Sequence, residues 1–133
     1  MQTEIWKPIS GYNGYYEVSN LGRVRSLTRK IERTDPKDST KKRLFTYKGK
    51  LVPFWITKKG YCRCTLNING QKKNHLVHQL VAKEFIKNKE SKPQVNHINC
   101  IKTDNRIENL EWVTNSENFK HAIENNLMYY QKI

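Results

Sequence analysis

With 133 residues the chain has room for one domain, or for two very small units sharing a core, and two large domains are excluded. Charged residues make up 28% and hydrophobic ones 36%, and no apolar run approaches the roughly 20 residues that span a bilayer, so the sequence reads as a polar, soluble protein with a thin core and no membrane partner. Lys and Arg total 25 against 12 acidic residues, a net charge of +13, and a field of that sign gathers polyanions and favours nucleic acid as the partner over a membrane surface.

The opening Met1-Gln2-Thr3-Glu4-Ile5-Trp6 lacks the basic-then-apolar order of a signal peptide, so a cytoplasmic, reducing location is expected. From Gly11 to Ser26 apolar and aromatic residues alternate around Ser19, Asn20 and Gly22, and Asn and Gly tolerate positive φ; the pattern predicts two short strands joined by a tight turn, with Arg23 and Arg25 beside it. Residues 28–50 are polar, rich in Lys and Arg, and punctuated by Asp35-Pro36 and Asp38-Ser39. They read as an exposed linker or mobile basic loop, in which Lys41-Lys42-Arg43 is offered to phosphate.

Residues 51–74 predict a second strand pair, because the stretch from Tyr61 to Ile68 alternates at period 2 before Asn69-Gly70. The period then changes: Val77, Leu80, Val81 and Phe85 recur at three- and four-residue steps, one face of an amphipathic helix running from about Leu76 to Ile86. His78 lies beside that stripe and reads as a packing or hydrogen-bonding histidine rather than a catalytic one. Cys62, Cys64 and Cys100 are odd in number and form no CxxC pair, so they read as reduced filler and not as a disulfide framework or a zinc site.

Residues 94–124 read as strand, long polar loop, strand and helix. Gln94-Val95-Asn96-His97-Ile98 is the first strand and Leu110-Glu111-Trp112-Val113-Thr114 the second; Thr114 with Glu117 three residues later is a capping-box pattern that starts a helix at about Asn115. That helix places Asn118 and His121 on a common face.

A strand–strand–helix unit with His97 on its first strand and Asn118 on its helix resembles the ββα-metal site of HNH endonucleases from phages and mobile introns. The resemblance extends through Val77-His78-Gln79-Leu80-Val81-Ala82, Lys92-Pro93-Gln94-Val95-Asn96-His97-Ile98, Glu108-Asn109-Leu110-Glu111-Trp112-Val113-Thr114 and Glu117-Asn118. Glu4-Ile5-Trp6-Lys7-Pro8 followed by Val18-Ser19-Asn20 and Gly22-Arg23-Val24-Arg25-Ser26 is similar to the small module that precedes the nuclease in such proteins. The resemblance implies an α+β fold. An N-terminal antiparallel β module with its basic linker would occupy residues 1–50, and a linking helix and the HNH domain residues 51–133, with the ββα-metal core at about 94–124.

It also implies roles. His97 matches the histidine that activates water, Asn96 and Asn118 the pair that holds the metal, and Asn109 the residue that braces the loop and orients the histidine. His121 stands as a further active-site candidate, as metal ligand, phosphate contact or helix cap. The implied cofactor is a divalent ion, Mg²⁺ first and Mn²⁺ as the alternative, and the implied partner is double-stranded DNA, in a phage-encoded protein of a bacterial host. Chemically, in-line attack on a phosphodiester needs a base near the water and a cation to stabilise the developing charge. Strand alternation sends Asn96 and His97 to opposite faces, so the strand must be distorted or end there for both to reach one phosphate. The chain departs from the family at Asn99-Cys100-Ile101, where relatives commonly carry an Asp-Gly-Asn turn. A second reading is a basic DNA-binding protein that keeps this scaffold without cutting, and a third, a zinc-stabilised RNA-binding module, lacks the four ligands it needs.

Overall fold

The computed structural model of the chain describes residues 2–125 and combines antiparallel strands with two helices, the expected α+β class. Met1 and residues 126–133 of the expected nuclease part lie outside the described residues.

Strands β1 (Trp6–Pro8), β2 (Tyr16–Ser19) and β3 (Val24–Ser26) form the first sheet in that order. The hairpin expected between Gly11 and Ser26 is β2–β3, and β1 adds to its open side. Alternation sorts the residues by face: Val18 and Val24 oppose each other in the interior, while the next pair, Glu17 and Arg25, forms an ion pair of 2.6 Å.

Residues 28–50 are neither linker nor mobile loop. β4 (Arg29–Asp35) and β5 (Asp38–Tyr47) pair as a two-stranded antiparallel ribbon. Asp35 and Asp38, read as loop punctuation, close its tip: Lys37 N–H donates to Asp35 Oδ1 at 2.8 Å and Thr40 N–H to Asp38 Oδ1 at 3.0 Å. The ribbon buries neither face in the core, so no period-2 alternation marks it. Arg33 over the Tyr47 ring and Arg43 over the Phe45 ring, each at 5.3 Å, give it side-chain contacts of its own. The chain then returns along the free edge of β3, where Ser26 N–H donates to Lys50 O and Val52 N–H to Val24 O, both at 2.8 Å.

β6 (Trp55–Ile56), β7 (Cys62–Ile68) and β8 (Gln71–Leu76) form the next sheet, with β7 central. The expected β7–β8 hairpin turns at Asn69 and Gly70, whose φ values of 53° and 79° match the two-residue turn that the strands' twist favours. Cys62, Cys64 and Leu66 alternate into the core. Helix α1 (Val77–Phe85) follows at once and adds Val77, Leu80 and Val81 to the same cluster, together with Ile9, Tyr12, Val18 and Val24 from the first sheet and its loop and Leu110 from the last. All three cysteines are free.

The last unit is β9 (Gln94–His97), a short 3-10 turn (Ile107–Asn109), β10 (Leu110–Val113) and α2 (Asn115–Glu124). Trp112 anchors it, its indole N–H donating to Ile86 O at the end of α1 at 3.0 Å. The capping box is present in both directions, with Glu117 N–H to Thr114 Oγ1 at 3.1 Å and Thr114 N–H to Glu117 Oε1 at 2.9 Å. No helix among the described residues is long and apolar enough to cross a membrane.

The thin core and the coreless ribbon make unequal contributions to stability. Leu66, fully buried, and Leu44, 58% exposed on β5, carry the same side chain in opposite settings. Urea titration is expected to show Leu66→Ala losing about 2–5 kcal/mol and Leu44→Ala staying within about 0.5 kcal/mol of the parent. Equal losses would contradict the division.

Candidate active site

β9 and β10 pair with Asn96 opposite Glu111 and His97 opposite Leu110. The conflict set by strand alternation is resolved because β9 ends at His97. There the chain turns, with Cys100 N–H donating to His97 O at 3.0 Å and Cys100 itself at φ 65°. Asn99 supports this turn by accepting the Ile101 N–H at 2.9 Å, so the departure from the family pattern still gives a tight turn, with a cysteine in the left-handed region. Asn96, His97, Asn118 and His121 then line one open cleft of about 390 Å³.

His97 is buried, and its Nε2 lies 2.8 Å from Asn105 Oδ1. An amide oxygen can only accept, so Nε2 carries the proton and Nδ1 keeps its lone pair. Burial holds the imidazole pKa below its ordinary 6.5, with the Asn105 hydrogen bond opposing that shift, so the ring is neutral at neutral pH. His78 packs against it with ring centroids 4.8 Å apart, and Tyr61 stacks on His78 at 5.1 Å. His78 has no hydrogen-bond partner at its buried Nδ1, and burial pushes its pKa down to about 4; it is a neutral packing group, in keeping with its place beside the apolar stripe.

Asn109 spans the loop between β9 and β10. Its Oδ1 accepts from Asn99 N–H at 2.9 Å and its Nδ2 donates to Asp104 O at 2.8 Å. It braces the loop; the side chain that bonds the histidine directly is the buried Asn105. Asp104 ties the same loop to Arg106 and to Asn99 Nδ2, and Arg106 holds its carboxyl down at about 2.

The two asparagines expected to hold a metal share a feature. Asn96 Nδ2 donates to Glu111 Oε1 at 3.1 Å and Asn118 Nδ2 to Gln94 Oε1 at 2.7 Å. With the donor ends engaged inside the protein, the carbonyl oxygens are the groups left for a hard cation. His121 sits one helical turn from Asn118, its Nε2 3.1 Å from Ile98 O. Among the described residues the cleft lining contains Lys102 and no carboxylate, and no group of three or more His, Cys, Asp or Glu side chains is placed to hold a metal.

The expected DNA-contact residues lie outside this cleft. Arg23 pairs with Glu4 and Arg25 with Glu17, and both guanidinium groups stack on Trp6, at 5.6 and 4.0 Å. Lys41, Lys42 and Arg43 are exposed on the ribbon. Sequence reasoning assigns no role to Asn105, Tyr61 or Lys102. Asn105 lies in the aperiodic stretch Thr103-Asp104-Asn105-Arg106, and only contacts with distant residues bury it. Lys102 donates to Lys59 O at 2.7 Å and sits over the Tyr61 ring at 4.8 Å, contacts made across some forty residues of chain that no local pattern would mark.

The chain is similar to known proteins in sequence and in fold. Residues 4–67 match the NUMOD4 motif and residues 75–120 match an HNH endonuclease family. An uncharacterized HNH endonuclease, L247, of Acanthamoeba polyphaga mimivirus is 42% identical over 135 residues, covering 98% of this chain and 29% of the relative. The DNA endonuclease I-HmuI of Bacillus phage SP01 is 34% identical over 118 residues, 89% of this chain and 57% of the relative. The solved structure described as DNA binding and cleavage by the HNH homing endonuclease I-HmuI superposes with a TM-score of 0.73 at 31% identity, covering 96% of this chain and 63% of that one. The chain therefore spans less than two thirds of the length of these relatives.

Asp104 makes the loop's integrity pH-dependent. Its folded pKa of about 2 lies below the ordinary 3.8, so its stabilising effect is complete above about pH 4 and is lost as pH falls toward 2. Asp104→Asn is expected to be less stable than the parent at pH 6 by about 1–2 kcal/mol. The gap should close by about pH 2 in urea titrations; a gap that persists there would mean that the side chain acts through packing alone.

Proposed function

We infer, since the chain belongs to the HNH endonuclease family and carries a NUMOD4 motif ahead of its nuclease part, that it hydrolyses phosphodiester bonds of double-stranded DNA with one divalent cation, as a homing or free-standing endonuclease. The observation that carries this reading is a buried, neutral His97 held at Nε2 and sharing with two amide side chains a cleft whose described lining has no carboxylate.

On this reading His97 Nδ1 takes the proton of the attacking water, because it is the nitrogen with the lone pair and the ring is uncharged at neutral pH. Asn96 and Asn118 would hold the cation through their Oδ1 atoms, and His121 stands beside them on α2. When bound, the ion supplies positive charge for the crowded phosphate and the leaving 3′ oxygen. Two neutral oxygens suit a hard ion such as Mg²⁺, or Mn²⁺ in its place, that takes most of its remaining ligands from water and substrate phosphate. Asn109 acts at one remove by fixing the loop, and Lys102 places a positive charge where a phosphate enters. The cationic ribbon, with Lys41, Lys42 and Arg43, grips the DNA backbone, joined by Arg23 and Arg25 beside the first hairpin.

Supercoiled plasmid with Mg²⁺ tests cleavage directly: relaxed circles report nicking, linear product reports paired cuts, and EDTA should stop both. His97→Ala is expected to lower the rate by at least about 100-fold with DNA affinity unchanged. Cutting at near the parent rate would remove His97 from the role of base and bring His121 forward. An inert parent protein that still binds DNA would favour the non-cleaving reading.

Binding carries its own expectation. Replacing Lys41 and Lys42 by Gln should flatten the dependence of log K on log salt by about 0.9 for each phosphate that is no longer neutralised. The same change at Arg23 and Arg25 measures whether arginines already paired to Glu4 and Glu17 also reach the backbone. An unchanged slope for the ribbon pair would place DNA elsewhere.

A further inference from the structure

Ser19 and Asn20 are polar residues at a hairpin tip, where water is the usual partner, and yet both are buried. Asn20 is bonded at every polar group: its N–H to Ile5 O at 3.0 Å, its Oδ1 from Ile5 N–H at 2.6 Å, its Nδ2 to Thr3 O at 3.1 Å and its carbonyl from Ile107 N–H at 2.9 Å. The last of these crosses to the β9–β10 loop. Ser19 Oγ shapes the turn itself, accepting from Leu21 N–H at 3.2 Å and Arg23 N–H at 3.1 Å.

Gly22 then meets Asn105. A Cβ at Gly22 would lie 2.8 Å from Asn105 Cβ and 3.1 Å from its carbonyl oxygen, and Gly22 has φ +89°. Both the backbone conformation and the space demand glycine. Asn105 is thus confined on one side by the turn, while its Oδ1 accepts from His97 Nε2 at 2.8 Å. A continuous path, from Ser19 through Gly22 and Asn105, links the first hairpin to the imidazole.

We propose that the Ser19–Gly22 turn and Asn105 are positioning elements for hydrolysis: the turn fixes Asn105, and Asn105 fixes the tautomer and placement of His97. The N-terminal module is then part of the catalytic support as well as a DNA contact. This rests on the reading of His97 as the base. A displaced Asn105 leaves Nε2–H without its acceptor and frees the ring to rotate, and a misplacement of about 1 Å at a reacting group costs up to about 100-fold.

The test uses the full chain, single-turnover cleavage of plasmid at pH 8 with Mg²⁺, DNA affinity in EDTA, and imidazole ¹⁵N spectra. In the parent, His97 should show a protonated Nε2 and a bare Nδ1; the opposite tautomer overturns the proposal. Asn105→Ala is expected to slow cleavage by about 10- to 100-fold with DNA affinity unchanged, and Asn105→Asp, which keeps the acceptor oxygen, should recover most of the rate. Gly22→Ala should give the same slow cleavage, unchanged affinity and altered His97 signals. Combined with Asn105→Ala it should be no slower than Asn105→Ala alone, because the two act in series. Should Gly22→Ala fail to fold, Gly22→Asn presents the same Cβ in a residue type that accepts positive φ. Additive losses, weaker DNA binding in place of slower cleavage, or a parent rate in a folded Gly22 variant would each overturn the role of the turn. If His97→Ala itself still cuts, the fault lies in the assignment of the base; if His97→Ala is inert and the Gly22 variant is not slowed, it lies in the turn alone.

Discussion

Val77, Leu80 and Val81 on helix α1 bury against strands of three separate sheets, with Val18 and Val24 in the first, Cys64 and Leu66 in the third, and Leu110 in the last. A chain with 28% charged residues has little other apolar surface to bury, so the burial of this one short helix sets where each of those sheets can lie. The consequence reaches the cleft. β9 and β10 are held against α1 by Leu110 and by the Trp112 indole at the helix end, and the position of His97 follows from that docking. His78, on the same helix, fills the space behind the imidazole, so the core and the site share a wall.

Elements that bury one face are legible in the sequence, and those that bury none are not. Cys62, Cys64 and Leu66 alternate because one side of β7 is core, and Val77, Leu80 and Val81 recur at helical spacing because one stripe of α1 is core. The Thr114 and Glu117 pair is legible for another reason, since a cap is a local exchange between residues three apart. The β4–β5 ribbon has no inner face, so nothing imposes alternation there and the stretch looks like a linker. Asn105 leaves no such trace, because an amide is buried by whatever lies across from it, here Gly22 and His97, neither of which is a near neighbour in sequence. Asn96, His97, Asn118 and His121 do converge on one cleft. Alternation requires only that β9 distort or stop for this to happen; that it stops at the histidine is a property of the turn through Cys100, which no residue pattern announces.

The charge of the cleft differs from that of the molecule. Around it stands a protein with a surplus of 13 positive charges, while the lining itself holds neutral amides, imidazoles and one lysine. A polyanion is drawn in by the whole surface, and among the described residues of the lining it meets no carboxylate. On the proposed reading the negative charge that a hard cation needs arrives with the phosphate, so the components of the reaction assemble together and neither ion nor protein holds the other tightly beforehand.

The ribbon contributes no residue to the core cluster, although it stands between two sheets that do. Adding a residue to each of its strands would extend its tip by about 3.3 Å and leave the packing of α1 untouched. Its length and side chains are therefore not held by the packing of the core, which fixes the rest of the sequence. A lineage built on this plan can change what its arm touches one residue pair at a time, without passing through an unfolded ancestor.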